Sequence, residues 1–479
     1  MQVHAFAHAN LNPSEMGPDM STLAAAAPVP RQERRNGFIG AFLGWIFDGY
    51  ETYATVLVAA AVVNDLIGAG IARTQPLYIG GIFAITLVAW ACGGLLAGVL
   101  ADYFGRRRVL LYSILWYAIF AGITALAPNY WLLLALRFLT GIGMGAEWGA
   151  GSSLVSELWD NKHRGRGLAF LQSGFGVGFL LATGLWQVVN DGSPHAWRWM
   201  YVIGVAPAVL TLFIRRYVKD PELWVQADAR RRLAQQRVRS GAAVGEHDRR
   251  LARWTLRQLL ETPEQRRRVA LLLLAALSTT IGWWAVSTWI PQFTAQQVAG
   301  KVRDVQAAIT SVVVSYNIAG ILGYVALGYL ADWFGRKPTI MFFFAGSLFT
   351  VPVLFLAPAS PDGLIVLAFV NGFFTLGQWT WLALYPSELF PTHMRATAIT
   401  FVFNTTRFVA AAGPLLAAVL IQFFGNISTA AVVIGSIYIV GLLVTPWIGP
   451  ETKAKPLPGV DDVIGDSTLP LTVASGSTP

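Results

Sequence analysis

The chain has 479 residues, of which 55% are hydrophobic and only 13% are charged, about half the charged share of a soluble domain. So few charges cannot cover a surface exposed to water, and the composition therefore excludes an ordinary soluble protein and predicts a membrane protein. The net charge of +9 is compatible with a nucleic-acid partner, but the distribution of the basic residues argues against one.

Residues 1–36 are predicted to form a disordered cytoplasmic tail. The segment 1–30 is rich in Ala, Pro and Ser and has no basic start before an apolar run, so it does not resemble a signal peptide. We therefore expect the first transmembrane helix to direct insertion.

Apolar stretches of about 20 residues, long enough to cross a bilayer core about 30 Å thick, recur along the rest of the chain. Each is expected to be an α-helix, because backbone polar groups in lipid must be satisfied within the segment. We predict twelve spans, at residues 38–63, 77–101, 108–127, 130–155, 166–189, 197–214, 269–290, 307–331, 339–358, 363–385, 396–424 and 428–447. Cys92, the only cysteine, lies in the second span, so the sequence predicts no disulfide framework and no Cys-based metal site.

The basic residues favour one side of the membrane. With twelve spans, both termini and every second loop share one side, which carries 29 of the 35 Lys and Arg residues, 15 of them in the linker 215–268. The positive-inside rule places this side in the cytoplasm. We predict a multi-pass protein of the inner (plasma) membrane with both termini cytoplasmic, whose partners are the lipid bilayer and a small molecule, not nucleic acid.

An internal repeat divides the chain in two. GVLADYFGRRR, at positions 98–108, returns as GYLADWFGRKP at 328–338. SELWDNKHRG, at 156–165, returns as SELFPTHMRA at 387–396, and the offset of this second pair exceeds that of the first by a single position. At the offset of the second pair, Glu147-Trp148 also corresponds to Gln378-Trp379. Repeats at a common offset indicate a duplicated structural unit.

The sequence therefore predicts an all-α membrane protein of two six-helix bundles, 37–214 and 269–448. A cytoplasmic linker, 215–268, joins them, and a disordered cytoplasmic tail, 449–479, follows. Two interpretations of the Arg-rich linker remain open. Part of it could lie as a basic amphipathic helix on anionic lipid headgroups, or it could be a solvated charged loop.

The motifs resemble those of a known family. The pattern Gly-x-x-x-Asp-x-Phe-Gly-Arg-Arg/Lys after spans 2 and 8 resembles the signature of the major facilitator superfamily. FDGYET, at 47–52, resembles the signature of aromatic acid and sialate/lactate proton symporters, with Glu51 where that signature usually has Asp. RFLTGIGMGAEWGAG, at 137–151, resembles a segment of metabolite and sialate proton symporters. The resemblance implies a secondary transporter with protons as the coupling ion and no other cofactor, and not an enzyme.

Ionisable residues inside the predicted spans are functional candidates, because each costs at least about 2.5 kcal/mol to insert. In the first bundle they are Asp48, Glu51, Arg137 and Glu147. Asp48 and Glu51 share one face of span 1, and depths counted at about 1.5 Å per residue match Glu51 to Arg137 and Asp48 to Glu147. We predict that these four residues bind and release the coupling proton. In porters of the superfamily a span 1 acid beside a span 4 Arg has this role; the alternative is a static pair that only joins the two spans.

Arg407 lies in span 11, one turn after Asn404, with no acidic residue predicted at its depth in the second bundle. Because a guanidinium is always charged and can hold a carboxylate through two hydrogen bonds, we predict that both residues contact an anionic substrate. The alternative for Arg407 is snorkelling or a bond to backbone carbonyls. Further candidates for the substrate site are polar or aromatic: Tyr50, Trp148, Gln172, Trp283, Trp284, Asn317, Gln378 and Trp379.

The charged residues of the repeated loops are expected to control conformational exchange. They are Asp102, Arg106, Glu157 and Arg164, and their counterparts Asp332, Arg336, Glu388 and Arg395. At the cytoplasmic ends of the spans they are expected to form salt bridges between helices, which close that side in one state and separate in the other.

No Walker loop, His-Glu-x-x-His or Gly-x-Ser-x-Gly motif occurs, so the sequence does not support ATP-driven transport or hydrolysis. The predicted function is proton-coupled symport of a small organic anion, such as a monocarboxylate, an aromatic acid or a sialate, by a monomer. Two alternatives remain: a sugar or polyol proton symporter, which would not need Arg407, and a sensor of the same fold that binds a solute without moving it.

Overall fold

The computed structural model describes residues 29–68, 74–241, 243–357 and 360–459, and every regular element in these ranges is helical. The predicted class, an all-α membrane protein of twelve spans in two bundles, is confirmed. The first bundle contains α1 Arg31–Leu66, α2 Gln75–Phe104, α3 Arg106–Thr124, α4 Tyr130–Leu158, α5 Arg164–Val189 and α6 Trp197–Tyr217. The second contains α7 Pro263–Val298, α8 Val305–Phe334, α9 Arg336–Leu356, α10 Pro361–Leu389, α11, which runs Arg395–Ala410 and continues as Gly413–Phe424, and α12 Ile427–Trp447.

Several helices depart from the predicted spans. Helix α1 begins at Arg31, inside the predicted tail. The span prediction missed this first turn because the turn is charged and carries no hydropathy signal. Residues 1–28 lie outside the described residues. Helix α6 is interrupted before Pro207, which cannot donate a backbone hydrogen bond. Helix α10 narrows to a 3₁₀ turn at Gln378–Thr380. Hydropathy alone shows a single apolar run in both cases.

Glycines bring the two bundles into close contact at one end of the molecule. This end, which we call the basic end, contains the repeated loops near residues 98–108, 156–166, 328–338 and 387–396, together with the linker. A Cβ at Gly98 of α2 would overlap the Thr400 hydroxyl of α11, and a Cβ at Gly328 of α8 would overlap Gly165 of α5. Both glycines are the first residue of the repeated motif. The motif therefore begins where the bundles need a residue without a side chain.

Replacing Gly98 with Val is expected to open the basic end. The added side chain collides with Thr400, and overpacking of this kind costs about 1–3 kcal/mol, which is enough to change the population of the closed state severalfold or more. Spin labels at Lys162→Cys and Phe334→Cys, both exposed and on different bundles, should report a longer distance in a Cys92→Ser background. Gly80→Val, on the same helix with no atom within 4 Å of an added Cβ, is the control. Equal distances in both variants would contradict the expectation.

Candidate functional site

A cavity lies between the two bundles, about midway along the helices. It encloses about 420 Å³ including its open mouth. Its walls are largely aromatic and come from α1, α2, α5, α7, α8, α10 and α11. The lining residues are Trp45, Thr52, Trp90, Gln172, Phe175, Trp283, Trp284, Tyr324, Trp379, Phe403 and Arg407. Such a cavity suits a small, partly apolar molecule with a polar group.

Arg407 is the charged residue among these walls. Its guanidinium lies 4.4 Å from the ring centre of Trp90 and 3.9 Å from that of Phe403. Its Nη1 atom donates to the Phe403 carbonyl at 3.3 Å and to Asn404 Oδ1 at 3.2 Å. Among the described residues it forms no salt bridge. Stacked aromatic rings hold the guanidinium in place.

Glu51 and Arg137 form a salt bridge inside the first bundle, and both side chains are buried. The guanidinium of Arg137 also lies 5.1 Å from the ring centre of Tyr201 on α6. The pair therefore ties α1, α4 and α6 together. It agrees with the depth count, but neither residue lines the cavity.

Asp48 and Glu147 are buried on the facing sides of α1 and α4. A Cβ at Gly44, one turn before Asp48, would overlap the Glu147 carboxylate, and the two acids interact electrostatically. Asp48 also lies within electrostatic range of Arg407 in the other bundle. None of the four carboxylate oxygens accepts a hydrogen bond from the described residues. The structure thus places the two acids of the first bundle together, with one of them within electrostatic range of Arg407 in the second.

Of the remaining predicted substrate residues, some line the cavity and others lie beside it. Trp284 lines the cavity, as do Trp283, Gln172 and Trp379. Trp148 lies just behind the wall, where its ring stacks on Phe403 with centres 3.5 Å apart and its Nε1 donates to Gln172. Asn404 lies against Gly94 of α2, next to Arg407.

Tyr50, Gln378 and Asn317 do not line the cavity. The Tyr50 hydroxyl donates to the Met200 carbonyl at 2.7 Å, on the α6 side of α1. Gln378 lies inside the second bundle, bonded to Thr279 and Ser347. Asn317 accepts a hydrogen bond from Tyr53 at 3.3 Å, which joins the bundles in the half away from the basic end. Asn317 thus joins the two bundles and does not line the cavity.

Several cavity residues were not predicted from the sequence. Trp45, Trp90, Phe175, Tyr324, Phe403 and Thr52 lie in apolar runs without a charge to mark them. Trp45 had one usable signal, because it lies three residues before Asp48 and therefore on the same face of α1. The others had none, since single aromatic residues are common in membrane helices.

The eight charged loop residues meet in two related clusters at the basic end. Arg395 donates to Glu157 at 2.9 Å and Arg164 donates to Glu388 at 3.1 Å, so each bond joins one bundle to the other. Within the bundles, the same glutamates accept from Arg106 and Arg336. The geometry is compatible with the predicted role in conformational exchange.

The two aspartates of the clusters cap helices of the opposite bundle. Asp102 accepts from the backbone N–H groups of Ala396 and Thr397 at 3.2 and 2.9 Å, which open α11. Asp332 accepts from those of Gly165 and Arg166, both at 3.1 Å, which open α5. A carboxylate is stabilised at a helix N-terminus. These caps hold the basic end closed.

Asp220 and Glu451 complete the arrangement and were missed in the sequence. Asp220 accepts from Arg107 N at 2.8 Å, and Glu451 accepts from Arg336 N at 2.8 Å and Lys337 N at 3.0 Å. Asp220 and Glu451 are separated by the same offset as Glu147 and Gln378. The repeat could therefore have identified them as a corresponding pair. Glu451 also corrects the predicted tail: residues 449–458 pack on the basic end because Glu451 caps α9, and only residues after 459 lie outside the described part.

The linker packs on protein at the basic end. It forms helices Glu222–Arg239, Glu246–Leu251 and Thr255–Leu259. Trp224 Nε1 donates to the Asp102 carbonyl at 3.0 Å, and Thr255 accepts from Thr397 at 3.0 Å, so the linker touches both bundles. Neither sequence interpretation holds for this face, which rests on α2 and α11 rather than on lipid or in solvent. Periodicity could identify an amphipathic helix but not the surface that covers it.

His393 is buried under the linker, where its Nε2 bonds Gln258 Oε1 at 2.9 Å. Burial, together with the nearby Arg231, His247, Arg395 and Arg106, lowers the pKa of His393 to about 3. Between that pKa and the unfolded value of about 6.5, the unfolded chain binds a proton that the folded protein does not. His393 therefore reduces stability as the pH falls through this window, by up to about 1.4 kcal/mol per pH unit.

His393→Gln is expected to lessen the acid-induced loss of stability. The amide can still donate to Gln258 but cannot be protonated, so the thermal midpoint of the detergent-solubilised protein should fall less between pH 7 and pH 5 than in the original protein. His163→Gln, whose side chain is 47% exposed, should leave the fall unchanged. A fall equal to that of the original protein in His393→Gln would show that His393 does not cause it.

Sequence and structure comparisons identify the family and the fold. The family model for "Sugar (and other) transporter" matches residues 37–463. The chain belongs to this family. It is therefore a transporter of the major facilitator superfamily and not an enzyme. It is similar to the cis,cis-muconate transport protein of Acinetobacter baylyi (27% identity over 84% of this chain and 91% of that protein) and to the niacin transporter NiaP of the same organism (26%, 87% and 94%).

The fold is shared with a solved structure of the proton:xylose symporter XylE bound to 6-bromo-6-deoxy-D-glucose. The two match with a TM-score of 0.70 at 19% identity, over 89% of this chain and 98% of that one. In a sugar (and other) transporter, the cavity between the bundles is the position from which a substrate can reach either side of the membrane. The aromatic walls and Arg407 line this cavity.

Proposed function

We propose that the protein is a proton-coupled symporter of a small organic anion, with an unsaturated or aromatic carboxylate as the favoured class. One observation carries the proposal: Arg407 is buried in an aromatic cavity between the bundles and forms no salt bridge within the described residues. An unpaired buried cation is costly, and a carboxylate ligand offsets that cost. The flat rings of Trp90 and Phe403 beside it suit a planar acid.

The charges around the cavity support coupling of proton and anion in the same direction. Asp48 lies within electrostatic range of Arg407. When a substrate carboxylate binds Arg407, it removes the cationic support for an ionised Asp48 and adds a negative charge nearby. Protonation of Asp48 is then favoured, and by linkage a protonated Asp48 favours anion binding by the same factor. Proton and anion therefore bind together, which is symport.

The orientation follows from charge. We assign the basic end, with both termini, to the cytoplasm of a bacterial inner membrane, on the positive-inside rule. The inter-bundle bonds of the basic end close that side, so this state receives substrate from outside. Release inside requires the bundles to rock until the basic end opens. A monomer suffices for this cycle.

The names of the relatives support the substrate class. Muconate and niacin, for which the two Acinetobacter relatives are named, are both unsaturated carboxylic acids. The xylose symporter shows the fold alone. The sugar or polyol alternative could use the neutral groups of the walls, but it leaves Arg407 without a salt-bridge partner among the described residues. These groups are Thr52, Gln172, Tyr324 and the indole N–H groups of Trp45, Trp90, Trp283 and Trp379. The sensor alternative predicts binding without flux.

Proton entry into proteoliposomes tests the proposal. Purified protein is reconstituted with an internal pH dye, and nicotinate, cis,cis-muconate, benzoate, lactate, sialic acid, xylose and a polyol are added in turn. Acidification with one class of acid supports the proposal and identifies its substrate class. A response to xylose or the polyol alone would favour the alternative symporter, and binding without acidification would favour a sensor or a uniporter.

A further inference from the structure

We infer that the coupling proton is held between Asp48 and Glu147, and that the Glu51–Arg137 pair is a permanently charged brace. The inference rests on the proposed proton symport and narrows its four candidate residues to two. It comes from a comparison of the two bundles. Corresponding positions carry acidic side chains in the first bundle and neutral polar side chains in the second.

The two acid residues lack what an ionised pair requires. Asp48 is 0% exposed and Glu147 is 1% exposed. None of their carboxylate oxygens accepts a hydrogen bond from the described residues, and no salt bridge reaches either residue. The Glu147 carboxylate lies against Gly44, one turn from Asp48, and the two acids are within electrostatic range of each other. Two ionised carboxylates in this arrangement repel each other, whereas one shared proton removes that repulsion and supplies the missing donor. Glu51, by contrast, already has Arg137 as its partner.

The second bundle contains a neutral version of this pair. Gln378 of α10 is the counterpart of Glu147, and Thr279 of α7 is displaced from Asp48 by the same offset. There the Thr279 hydroxyl donates to Gln378 Oε1 at 2.8 Å. A protonated Asp48 that donates to Glu147 would form the same bond. The second bundle has it permanently, while the first forms it only with a proton bound.

A third member of the cluster extends the correspondence. Gln378 Nε2 donates to Ser347 Oγ at 2.9 Å. Ser347 of α9 corresponds to Tyr117 of α3 at the offset that relates Gly98 to Gly328. The Tyr117 hydroxyl lies beside Glu147 without a hydrogen bond of good geometry, and it is positioned to donate to that carboxylate. The cluster in the second bundle has its hydrogen bonds, and the corresponding cluster in the first bundle lacks them among the described residues. The two clusters thus differ chiefly in their capacity to take up a proton.

The charged groups that face the pair explain how substrate controls it. From its own helix Asp48 faces Glu51, whose charge Arg137 balances; α3 contributes Tyr117, and α11 contributes Arg407. Of these, Arg407 alone belongs to the other bundle. Both rocking of the bundles and an anion on Arg407 change its support for an ionised Asp48, while the Glu51–Arg137 brace moves with the first bundle. The pair therefore senses substrate and conformation, and the brace does not.

Infrared spectroscopy tests the pair without any substrate. Attenuated-total-reflection spectra of the reconstituted protein should contain the C=O stretching band of a protonated carboxylic acid that disappears as the pH is raised. The band should be lost in Glu147→Gln, which places in α4 the residue that α10 already carries, and in Asp48→Asn. It should persist in Asp362→Asn, where an exposed carboxylate at the start of α10 is removed. It should also persist in the double variant Glu51→Gln, Arg137→Gln, which removes both charges of the brace. A band that survives in both Asp48→Asn and Glu147→Gln, or that is absent from the original protein, would overturn the inference.

A transport measurement separates this inference from the proposed function. With an inward proton gradient, Glu147→Gln should take up the acid that gave the largest acidification in the panel only to equal concentrations on both sides, while Asp362→Asn accumulates it. If the band behaves as expected but the original protein moves no protons with any acid, the proposed function fails and the proton site stands. If the original protein couples protons and both Asp48→Asn and Glu147→Gln still accumulate substrate, the proton site fails and the proposed function stands.

Discussion

Replacing Arg407 with Gln is expected to weaken binding of the transported acid by roughly 30-fold or more, because removing one partner of a buried charge pair costs about 2–5 kcal/mol. The Gln amide can still form a hydrogen bond with Asn404. The variant therefore loses only the positive charge and the stacking of the guanidinium on Trp90 and Phe403. The measurement is acid uptake into proteoliposomes under an inward proton gradient, as a function of acid concentration. Saturation should require far more acid or disappear.

Two further variants show whether charge or geometry carries the effect. Arg407→Lys keeps the charge but loses the two-pronged contact and the planar stack, so it should fall between the original protein and Arg407→Gln. Arg303→Gln removes an exposed Arg next to α8 and should transport normally. Unaltered acid transport by a folded Arg407→Gln protein would remove the basis for an anionic substrate and favour the sugar or polyol symporter.

Arg137→Gln is expected to reduce the amount of folded protein sharply. It leaves the Glu51 carboxylate buried without its cation, and breaking a buried pair in this way costs about 3–5 kcal/mol. Glu51→Gln leaves the opposite charge alone and should also be destabilising. The double variant Glu51→Gln, Arg137→Gln removes both charges and should recover much of the loss. Thermal midpoints from fluorescence-detected size-exclusion chromatography give the comparison.

The double-mutant cycle also distinguishes the two roles of the pair. A double variant that is less destabilised than the sum of the two single variants would establish the brace. If the double variant folds and still accumulates acid against a gradient, the Glu51–Arg137 pair only joins helices, as the static alternative holds. An Arg137→Gln protein as stable as the original would contradict the structural account, whereas Lys301→Gln, in an exposed loop, should have no effect on the midpoint.

The axial positions of the site residues could be predicted from the sequence, but not their rotation about the helix axes. Counting rise per residue matched Glu51 to Arg137 and Asp48 to Glu147, because depth in a membrane follows directly from chain position. The same count could not show that Tyr50 faces Met200 while Trp45 faces the cavity. Helix rotation is determined by packing against neighbouring helices, and a single sequence does not contain that information.

The fold, too, could be predicted from the sequence only in part. The repeat predicted the bundles and the clusters at the basic end, since similar motifs at a common offset must occupy equivalent places. It could not predict that Gln378 is fully bonded inside its bundle while its counterpart Glu147 is unpaired. That difference depends on Thr279 and Ser347, two small polar residues with no feature that distinguishes them from other hydroxyl side chains in membrane helices.

The crossed helix caps at the basic end affect the speed of transport. Asp102 and Asp332 each hold the first turn of a helix in the other bundle, and the Arg–Glu bonds and the linker cross the same seam. The basic end can open only if all of these contacts between the bundles break together. The chain gains little conformational entropy until the last contact is lost. The rate of turnover should therefore rise steeply with temperature, as in a reaction with a large activation enthalpy, and binding of the acid should be faster than its release into the cell.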